Sequence, residues 1–351
     1  MNLGAVVALL VTLVIQAMVA MALLTLPVMA PVVGRALSVS PALVGVYVAV
    51  TYLGAMTASL LGGDTVRRLG AIRVSQWGLL LCATGLLLCT LPHLPAIALG
   101  AVLIGLGYGP ITPASSHVLA RTTPPAQMSL VFSIKQTGVP LGGMIAGALI
   151  PSLDLLIGWQ LAFVSAGAAC ILCALSVQPL QAGLDNDRDP KARPSLVASI
   201  VNPLRLIFGH KSLRNLSMMS FLFATCQMAL MAYLVTFLFE DLDWTLVAAG
   251  VALTVTQAAG VGGRIFWGYL SDRWLGPAMM LIVLVFLLIV GAVGTALLTP
   301  QTSPWILYPI LIIFGASAIG WNGVYLAEIA RQAPAGQAGT ATGGTLCITF
   351  L

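Results

Sequence analysis

The stretch ARTTPPAQ, residues 120–127, recurs as ARQAPAGQ at residues 330–337, where four of the eight positions agree. Both copies follow a long apolar stretch. A second pair, RRLG at residues 67–70 and RWLG at residues 273–276, agrees at three of four positions and has nearly the same offset. Two matching polar loops at one offset predict a chain built from two homologous halves.

The chain around these loops is too apolar for a soluble protein. Its 351 residues are 59% hydrophobic and 7% charged, with a mean hydropathy of +1.04, whereas soluble domains carry about 25% charged residues. Apolar runs long enough to cross a membrane recur along the whole length. Because backbone polar groups within lipid must be satisfied internally, we predict an all-α membrane protein.

The apolar runs predict ten complete spans and the start of an eleventh, so that about 11 helices are present. They fall at about residues 4–33, 42–62, 74–92, 96–118, 129–150, 157–177, 215–239, 246–270, 276–298, 304–327 and 338–351. The first run exceeds the apolar core of a signal peptide and no basic residue precedes it, so we expect a retained span. The last run stops inside a span, so we expect a C-terminally truncated second half.

Basic residues are distributed unevenly over the predicted loops. With the N-terminus in the cytoplasm, the inner loops hold 12 Lys and Arg residues and the outer loops hold Arg35 alone. This positive-inside bias predicts a multi-pass protein with a cytoplasmic N-terminus. We expect it in the plasma membrane, and specifically in a bacterial inner membrane. The bias also explains the net charge of +5, so nucleic-acid binding is not needed to account for it. We predict a six-helix half over residues 1–177, a cytoplasmic linker over 178–214 and an incomplete half over 215–351.

Three stretches resemble motifs of the major facilitator superfamily. GYLSDRWLG, residues 268–276, is similar to the family's loop motif after an even-numbered span, and LLGGDTVRRLGAIRV, residues 60–74, is its first-half counterpart. TGVPLGGMIAG, residues 137–147, is similar to the Gly-Pro-Gly-Gly pattern of the fifth span. The resemblance implies two parallel six-helix halves that rock about a central site and transport a solute.

The loop motifs imply charged residues that pair when the inner side closes. The resemblance assigns this conformational role to Asp272 and Arg273 in the second half. Arg68 and Arg73 are the first-half candidates, for which a role in membrane orientation is the alternative. The first half lacks the acid matching Asp272, and Asp64 lies two residues upstream of that position.

Four further charges lie near the predicted inner ends of spans. Arg121 and Arg331 occupy the repeated loops, and Arg264 precedes Asp272 by two helical turns as a candidate gate charge. Glu328 is expected to form an i,i+3 ion pair with Arg331, although proton coupling through this carboxyl is an alternative.

Polar side chains deep within spans mark the candidate substrate site. Lys135 lies about seven residues into span 5, roughly 10 Å from the inner surface. A lysine at the bilayer centre costs about 2.5–3.5 kcal/mol to insert, so we expect Lys135 to face a wet cavity and anchor an anion. Snorkelling to the inner surface is the alternative. The other candidates in spans are Gln16, Tyr108, Gln136, Gln227, Gln257, Asn322 and Tyr325.

The sequence holds no catalytic constellation, metal-ligand cluster or nucleotide-binding loop, so we predict neither enzyme activity nor a cofactor. We expect a gradient-driven secondary transporter of a small organic or inorganic anion, with protons as the candidate coupling ion. A multidrug efflux antiporter is the alternative indicated by the span 5 motif, and a non-transporting sensor is a third. The expected partners are a small-molecule substrate and the lipid bilayer, without nucleic acid, and the expected state is a monomer.

Overall fold

The computed structural model describes residues 3–123, 128–189, 196–334 and 338–349, and every regular element within these ranges is helical. The helices of the first half are α1 (Leu3–Val28), α2 (Ala30–Leu37), α3 (Val44–Leu69), α4 (Ala71–Cys89), α5 (Leu94–Tyr108), α6 (Ile111–Thr122), α7 (Met128–Gln136), α8 (Gly138–Ile157) and α9 (Trp159–Ser176). Between the halves lie α10 (Gln178–Leu184) and α11 (Leu196–Gly209). The helices of the second half are α12 (Lys211–Glu240), α13 (Leu246–Leu270), α14 (Gly276–Ala296), α15 (Pro304–Gly320), α16 (Asn322–Gln332) and α17 (Ala338–Thr349).

Nine stretches of the described chain are long and apolar enough to cross a membrane. One of them, Leu246–Ala296, contains both α13 and α14, which are separated by a π-helical turn at Ser271–Leu275. The described residues therefore supply ten crossings, and α17 adds 12 residues of a further span. The prediction of an all-α membrane protein is confirmed.

The internal repeat has a geometric counterpart at the turns that follow the second span of each half. Gly70 ends α3 with φ +96°, and Gly276 follows α13 with φ +73°. A side chain is strained at such positive φ angles, which explains why RRLG and RWLG share their glycine. The other repeated pair lies partly outside the described residues, because residues 124–127 and 335–337 are not among them.

The glycines of span 5 hold α8 close to α1 on one side and to α13 on the other. Gly138 and Gly142 pack against α1, whereas Gly143 and Gly147 pack against α13. A Cβ atom at Gly147 would lie 2.6 Å from the backbone oxygen of Gly250. Each pair is spaced by four residues and lies on one helix face, as in other close crossings of membrane helices. The α8–α13 crossing joins the two halves.

The linker is anchored to the first half at its beginning. The buried carboxylate of Asp185 accepts hydrogen bonds from the backbone N–H groups of Ile72 (2.8 Å) and Arg73 (3.0 Å). These groups lie in the first turn of α4, where backbone donors lack helical partners and the helix dipole favours an anion. Further along, α11 packs against α12, α17 and α3.

Candidate functional site

A cavity of about 500 Å³ lies between the two halves. The first half lines it from α3, α5, α6, α7 and α8, and the second half lines it from α12, α13, α16, α17 and Trp321. Its volume is within the range of about 300–1,000 Å³ that is usual for small-molecule sites. Most of the lining is apolar, so the few polar side chains decide what the cavity can bind.

Arg264 supplies a positive charge to the cavity wall. Its guanidinium extends from α13, where Nε donates to the Ile319 carbonyl at 3.0 Å and Nη1 donates to the Gln136 carbonyl at 2.5 Å. None of the described residues that line the cavity is acidic. Sequence position alone placed Arg264 near the inner end of its span, but its side chain reaches the central cavity. A guanidinium with no carboxylate beside it among the described lining residues favours an anionic ligand.

Lys135 lies behind the cavity wall rather than on it. Its side chain is 1% exposed, and its Nζ has no hydrogen-bond acceptor among the described residues. The next residue, Gln136, lines the cavity instead. Successive helical residues point about 100° apart, so the two side chains cannot both face the cavity. The expectation that Lys135 faces the cavity is corrected, and the alternative of snorkelling to the surface is equally inconsistent with its burial.

The other three glutamines predicted as site residues occupy two different environments. Gln227 lines the cavity, and its Oε1 accepts a hydrogen bond of 3.0 Å from Trp321 Nε1. Gln16 and Gln257 are fully buried against the glycines of α8 and do not line the cavity. The expectation that they face the cavity is corrected. The glycines of α8 have no side chains, which leaves room for each amide between the helices.

Aromatic side chains line both halves of the cavity. Tyr52 and Tyr108, from the first half, pack edge to face with ring centroids 6.3 Å apart. In the second half, Trp321 lines the cavity and stacks on Phe223 at 5.1 Å. Tyr325 packs edge-on against Trp321 but is buried behind it, outside the lining. The cavity therefore offers flat apolar surfaces to a ligand.

Two other lining residues complete the comparison with the sequence. Asn322, a predicted site residue, lines the cavity beside Trp321. Tyr52 was not predicted, because an aromatic residue within a span is as compatible with core packing as with a ligand surface. Its neighbour Tyr108 was predicted. Finding Tyr52 as well would have required knowing that spans 2 and 4 pack against each other.

At the outer end, in the predicted orientation, the two halves touch through polar groups. Arg35 forms an ion pair of 3.3 Å with Glu240 and lies over the Phe239 ring, 4.7 Å from its centroid. The Tyr233 hydroxyl donates to the Ala42 carbonyl at 3.3 Å. The lone basic outer residue thus meets the acidic end of α12.

At the opposite end, which is the inner end in the predicted orientation, the predicted gating residue Arg121 binds the start of the linker. Its guanidinium contacts the Asp187 carboxylate and donates to Asn186 Oδ1 and to the Leu184 carbonyl. His117 also lies 2.6 Å from Asp187. Asp187 was missed in the sequence, where it stands in a polar stretch without periodicity.

The corresponding loop of the second half contains the expected ion pair. Arg331 Nη1 lies 3.7 Å from Glu328 Oε2, so the predicted i,i+3 pair is confirmed. Gln332 Nε2 donates to the other carboxylate oxygen at 2.8 Å. Both neighbours hold the buried Glu328 carboxyl at the end of α16.

Comparison with known proteins identifies the family. The family model described as Major Facilitator Superfamily matches residues 9–350. The chain belongs to the major facilitator superfamily. It is therefore a secondary transporter of small molecules in a membrane, and not an enzyme.

Two relatives in this superfamily resemble most of the chain. The benzoate transport protein of Acinetobacter baylyi is 25% identical over 339 residues, which are 86% of this chain and 71% of that protein. The gentisate transporter of Corynebacterium glutamicum is 26% identical over 324 residues, or 88% of this chain and 70% of that protein.

Solved structures of superfamily members share the fold. A bacterial homolog of the human lysosomal transporter Spinster, in an inward-facing and occupied conformation, has a TM-score of 0.76 at 18% identity. The alignment covers 99% of this chain and 79% of that one. The D-xylose-proton symporter has a TM-score of 0.74 at 16% identity, with 99% and 86% covered. The predicted two-half arrangement of the superfamily is confirmed.

The superfamily loop motifs lie at the turns that follow α3 and α13. Arg68 and Arg273 are exposed there, and Arg73 is half-buried in the first turn of α4. The side chains of Asp64 and Asp272 lie outside the described residues. A conformational role for this set stays a prediction.

Proposed function

We propose that the chain carries a small organic carboxylate, and an aromatic one by preference, across the membrane by alternating access. Arg264 is the observation on which the proposal rests. It places a guanidinium in a central cavity whose described lining residues include no acid. A guanidinium binds a carboxylate through two parallel, charge-assisted hydrogen bonds, which is a stronger and more directional contact than a lysine provides.

The aromatic preference is supported by the two walls of the cavity. Tyr52 and Tyr108 on one half and Trp321 on the other offer faces and edges to a flat ring. Contacts of this kind are worth about 0.5–1.5 kcal/mol each beyond the buried area. The relatives named for benzoate and gentisate carry names of aromatic carboxylates, which agrees with this chemistry.

The contacts between the halves support an alternating-access cycle. Polar groups join the halves at the outer end, through Arg35 with Glu240 and Tyr233 with Ala42. The α8–α13 crossing is built on glycines, so the halves meet there with little side-chain interlock. Rocking about this crossing would separate the outer contacts and open the cavity to that side.

We infer that the flux is coupled to protons, and Lys135 is the candidate carrier. Its amine is buried next to a cavity-lining residue and has no acceptor among the described residues. Lys135→Gln should retain exchange of labelled for unlabelled substrate but lose accumulation driven by a pH gradient. Lys211→Gln, which changes an exposed lysine, is the matched control and should retain both. Accumulation that survives in Lys135→Gln would exclude this carrier.

The substrate is tested with the purified protein in liposomes. Uptake of radiolabelled benzoate, gentisate and a hexuronate, and of the cationic dye ethidium, is measured with and without an imposed pH gradient. We expect benzoate or gentisate to accumulate and Arg264→Gln to abolish the flux. Preferential uptake of the hexuronate would remove the aromatic part of the proposal. Ethidium flux without any carboxylate flux would overturn the proposal in favour of drug efflux.

A further inference from the structure

Span 5 contains a backbone carbonyl that its own helix cannot bind. In an α-helix the carbonyl of Gln136 would accept from the N–H group of residue 140. Residue 140 is proline, which has no N–H group. The chain breaks at this point into α7 and α8, and the neighbouring carbonyl of Thr137 accepts from Leu141 N at 3.0 Å. Pro140 therefore leaves the Gln136 carbonyl without a helical donor.

Arg264 supplies the missing donor from the other half of the molecule. Its Nη1 donates to the Gln136 carbonyl at 2.5 Å, and its Nε donates at 3.0 Å to the Ile319 carbonyl. Ile319 lies one residue before the end of α15, where span 10 is also interrupted. One guanidinium thus binds the backbone at two helix breaks, one in each half.

This arrangement fixes the direction of the guanidinium. Arginine donors lie in a planar fork, so two hydrogen bonds to rigid backbone carbonyls determine the plane and rotation of the group. Within the described residues no hydrogen bond of Nη2 is observed. A fixed guanidinium whose Nη2 lacks a hydrogen-bond partner among the described residues is preorganised to donate to a carboxylate, which lowers the entropic cost of binding.

We propose that Pro140 is a positioning residue for the substrate-binding arginine: by removing one N–H group from span 5, it leaves the Gln136 carbonyl to orient Arg264 across the two halves. The inference rests on the proposed function, in which Arg264 binds the carboxylate of the substrate. The hydrogen bond from Arg264 to Gln136 joins the two halves. Separation of the halves would therefore break this bond and release the orientation of the guanidinium.

Other prolines in spans show what a merely structural proline does in this chain. Pro27 and Pro151 also lie inside helices, α1 and α8 respectively. The Leu23 carbonyl, four residues before Pro27, accepts the Tyr47 hydroxyl at 3.5 Å within the same half. The carbonyl four residues before Pro151 belongs to Gly147, at the glycine crossing. Neither carbonyl binds a charged group in the described structure.

The test is Pro140→Ala, which restores the N–H group and lets residue 140 bind the Gln136 carbonyl in place of Arg264. We expect the benzoate Kd of the purified protein, and the KM of liposome uptake, to rise about 10-fold, in the range of a charge-assisted hydrogen bond. The matched control is Pro151→Ala in the same helix, with a Kd within about 2-fold of wild type. Pro140→Ser supplies the same N–H group and replaces the alanine variant if that variant is not recovered folded.

A double-mutant cycle separates positioning from general packing. In an Arg264→Lys background the added change Pro140→Ala should leave the benzoate Kd unchanged, because its effect passes through the guanidinium. An equal loss in both backgrounds, or an unchanged Kd in Pro140→Ala alone, would overturn the inference while the proposed function stands. Wild-type protein that binds none of benzoate, gentisate and the hexuronate would instead overturn the proposed function and the inference together.

Discussion

The two halves share a frame but contribute different chemistry to the cavity. Both turn after their second span at a glycine of positive φ, Gly70 or Gly276, and both interrupt their fourth span. Their fifth spans differ, because the first half is broken just before Pro140 whereas α17 is continuous over its described residues. The duplicated elements set the architecture, and the unmatched elements make the site.

The break in the fifth span of the first half meets a charged residue from the second span of the second half. The first half contributes a backbone carbonyl, at Gln136, and the second half contributes the charged group that binds it, at Arg264. A perfectly repeated chain would present two similar walls to the ligand. Loss of symmetry at these two positions gives the cavity one cationic side, and therefore one favoured orientation for a carboxylate.

The largest expected effect is at the glycine crossing that joins the halves. Gly147→Leu would add a side chain at a position where even a Cβ atom would lie 2.6 Å from the Gly250 oxygen. Overpacking of this kind costs about 1–3 kcal/mol or more, so we expect little folded protein in size-exclusion chromatography. Gly262→Leu, on α13 with open space around its Cβ position, is the control and should fold normally. Equal recovery of the two variants would show that the halves do not depend on this crossing.

The next effect tests the wall of the second half. Trp321→Phe removes the indole donor and leaves the buried Gln227 Oε1 unpaired. We expect thermal unfolding in detergent to report a loss of about 1–3 kcal/mol. Trp321→Phe combined with Gln227→Leu removes both partners and should recover most of this loss. Without such recovery, ring size and not the hydrogen bond would account for the change.

A smaller effect compares the two turns that carry the repeated glycines. Asp185→Ala removes the carboxylate that binds Ile72 N and Arg73 N at the start of α4. The loss of such a cap costs about 0.5–2 kcal/mol, which a shift in melting temperature would detect. Asp185→Asn retains an oxygen acceptor and should lie between wild type and alanine. An unchanged melting temperature in the alanine variant would mean that the linker does not stabilise the turn after α3.

The smallest effect is at the outer contact. Arg35→Gln breaks an ion pair whose side chains are 66% and 36% exposed. Exposed pairs contribute about 0.2–1 kcal/mol, so we expect stability to change little and the rate of substrate exchange to change by a few-fold at most. Reversal of the pair, Arg35→Glu with Glu240→Arg, should restore the wild-type rate. A reversed pair that behaves like the single variants would assign the effect to the Arg35–Phe239 contact.

The architecture could be predicted because its signals can be read from the sequence without knowledge of tertiary contacts. The length of the apolar runs predicts the membrane spans, and the repeated loops predict two halves with similar sequences. The spacing of Gly138, Gly142, Gly143 and Gly147 predicts close helix approach, since glycine pairs four apart share a helix face. These properties depend on which residue types occur and how they are spaced along the chain, so they can be predicted without knowing the tertiary contacts.

The site could be predicted only in part because depth and direction are different quantities. Counting residues gives the depth of Lys135 and Arg264, but the direction of each side chain depends on how its helix is rotated against its neighbours. Gln16 and Gln257 were misplaced because an amide in a span is satisfied equally by a cavity or by space over a glycine. Asp185 was missed because its partners lie more than 100 residues away.

The exposure of the outer ion pair means that the surroundings act on it directly. Dissolved salt screens charges at a distance of about 8–10 Å at physiological concentration, and exposed pairs are weakened by it more than buried ones. Electrolyte at that face would thus loosen the Arg35–Glu240 contact, while Arg264, bonded to two backbone carbonyls in the interior, would be affected less. The ionic strength of the medium would then bias how often the two halves separate at that face, without altering which solute the carrier selects.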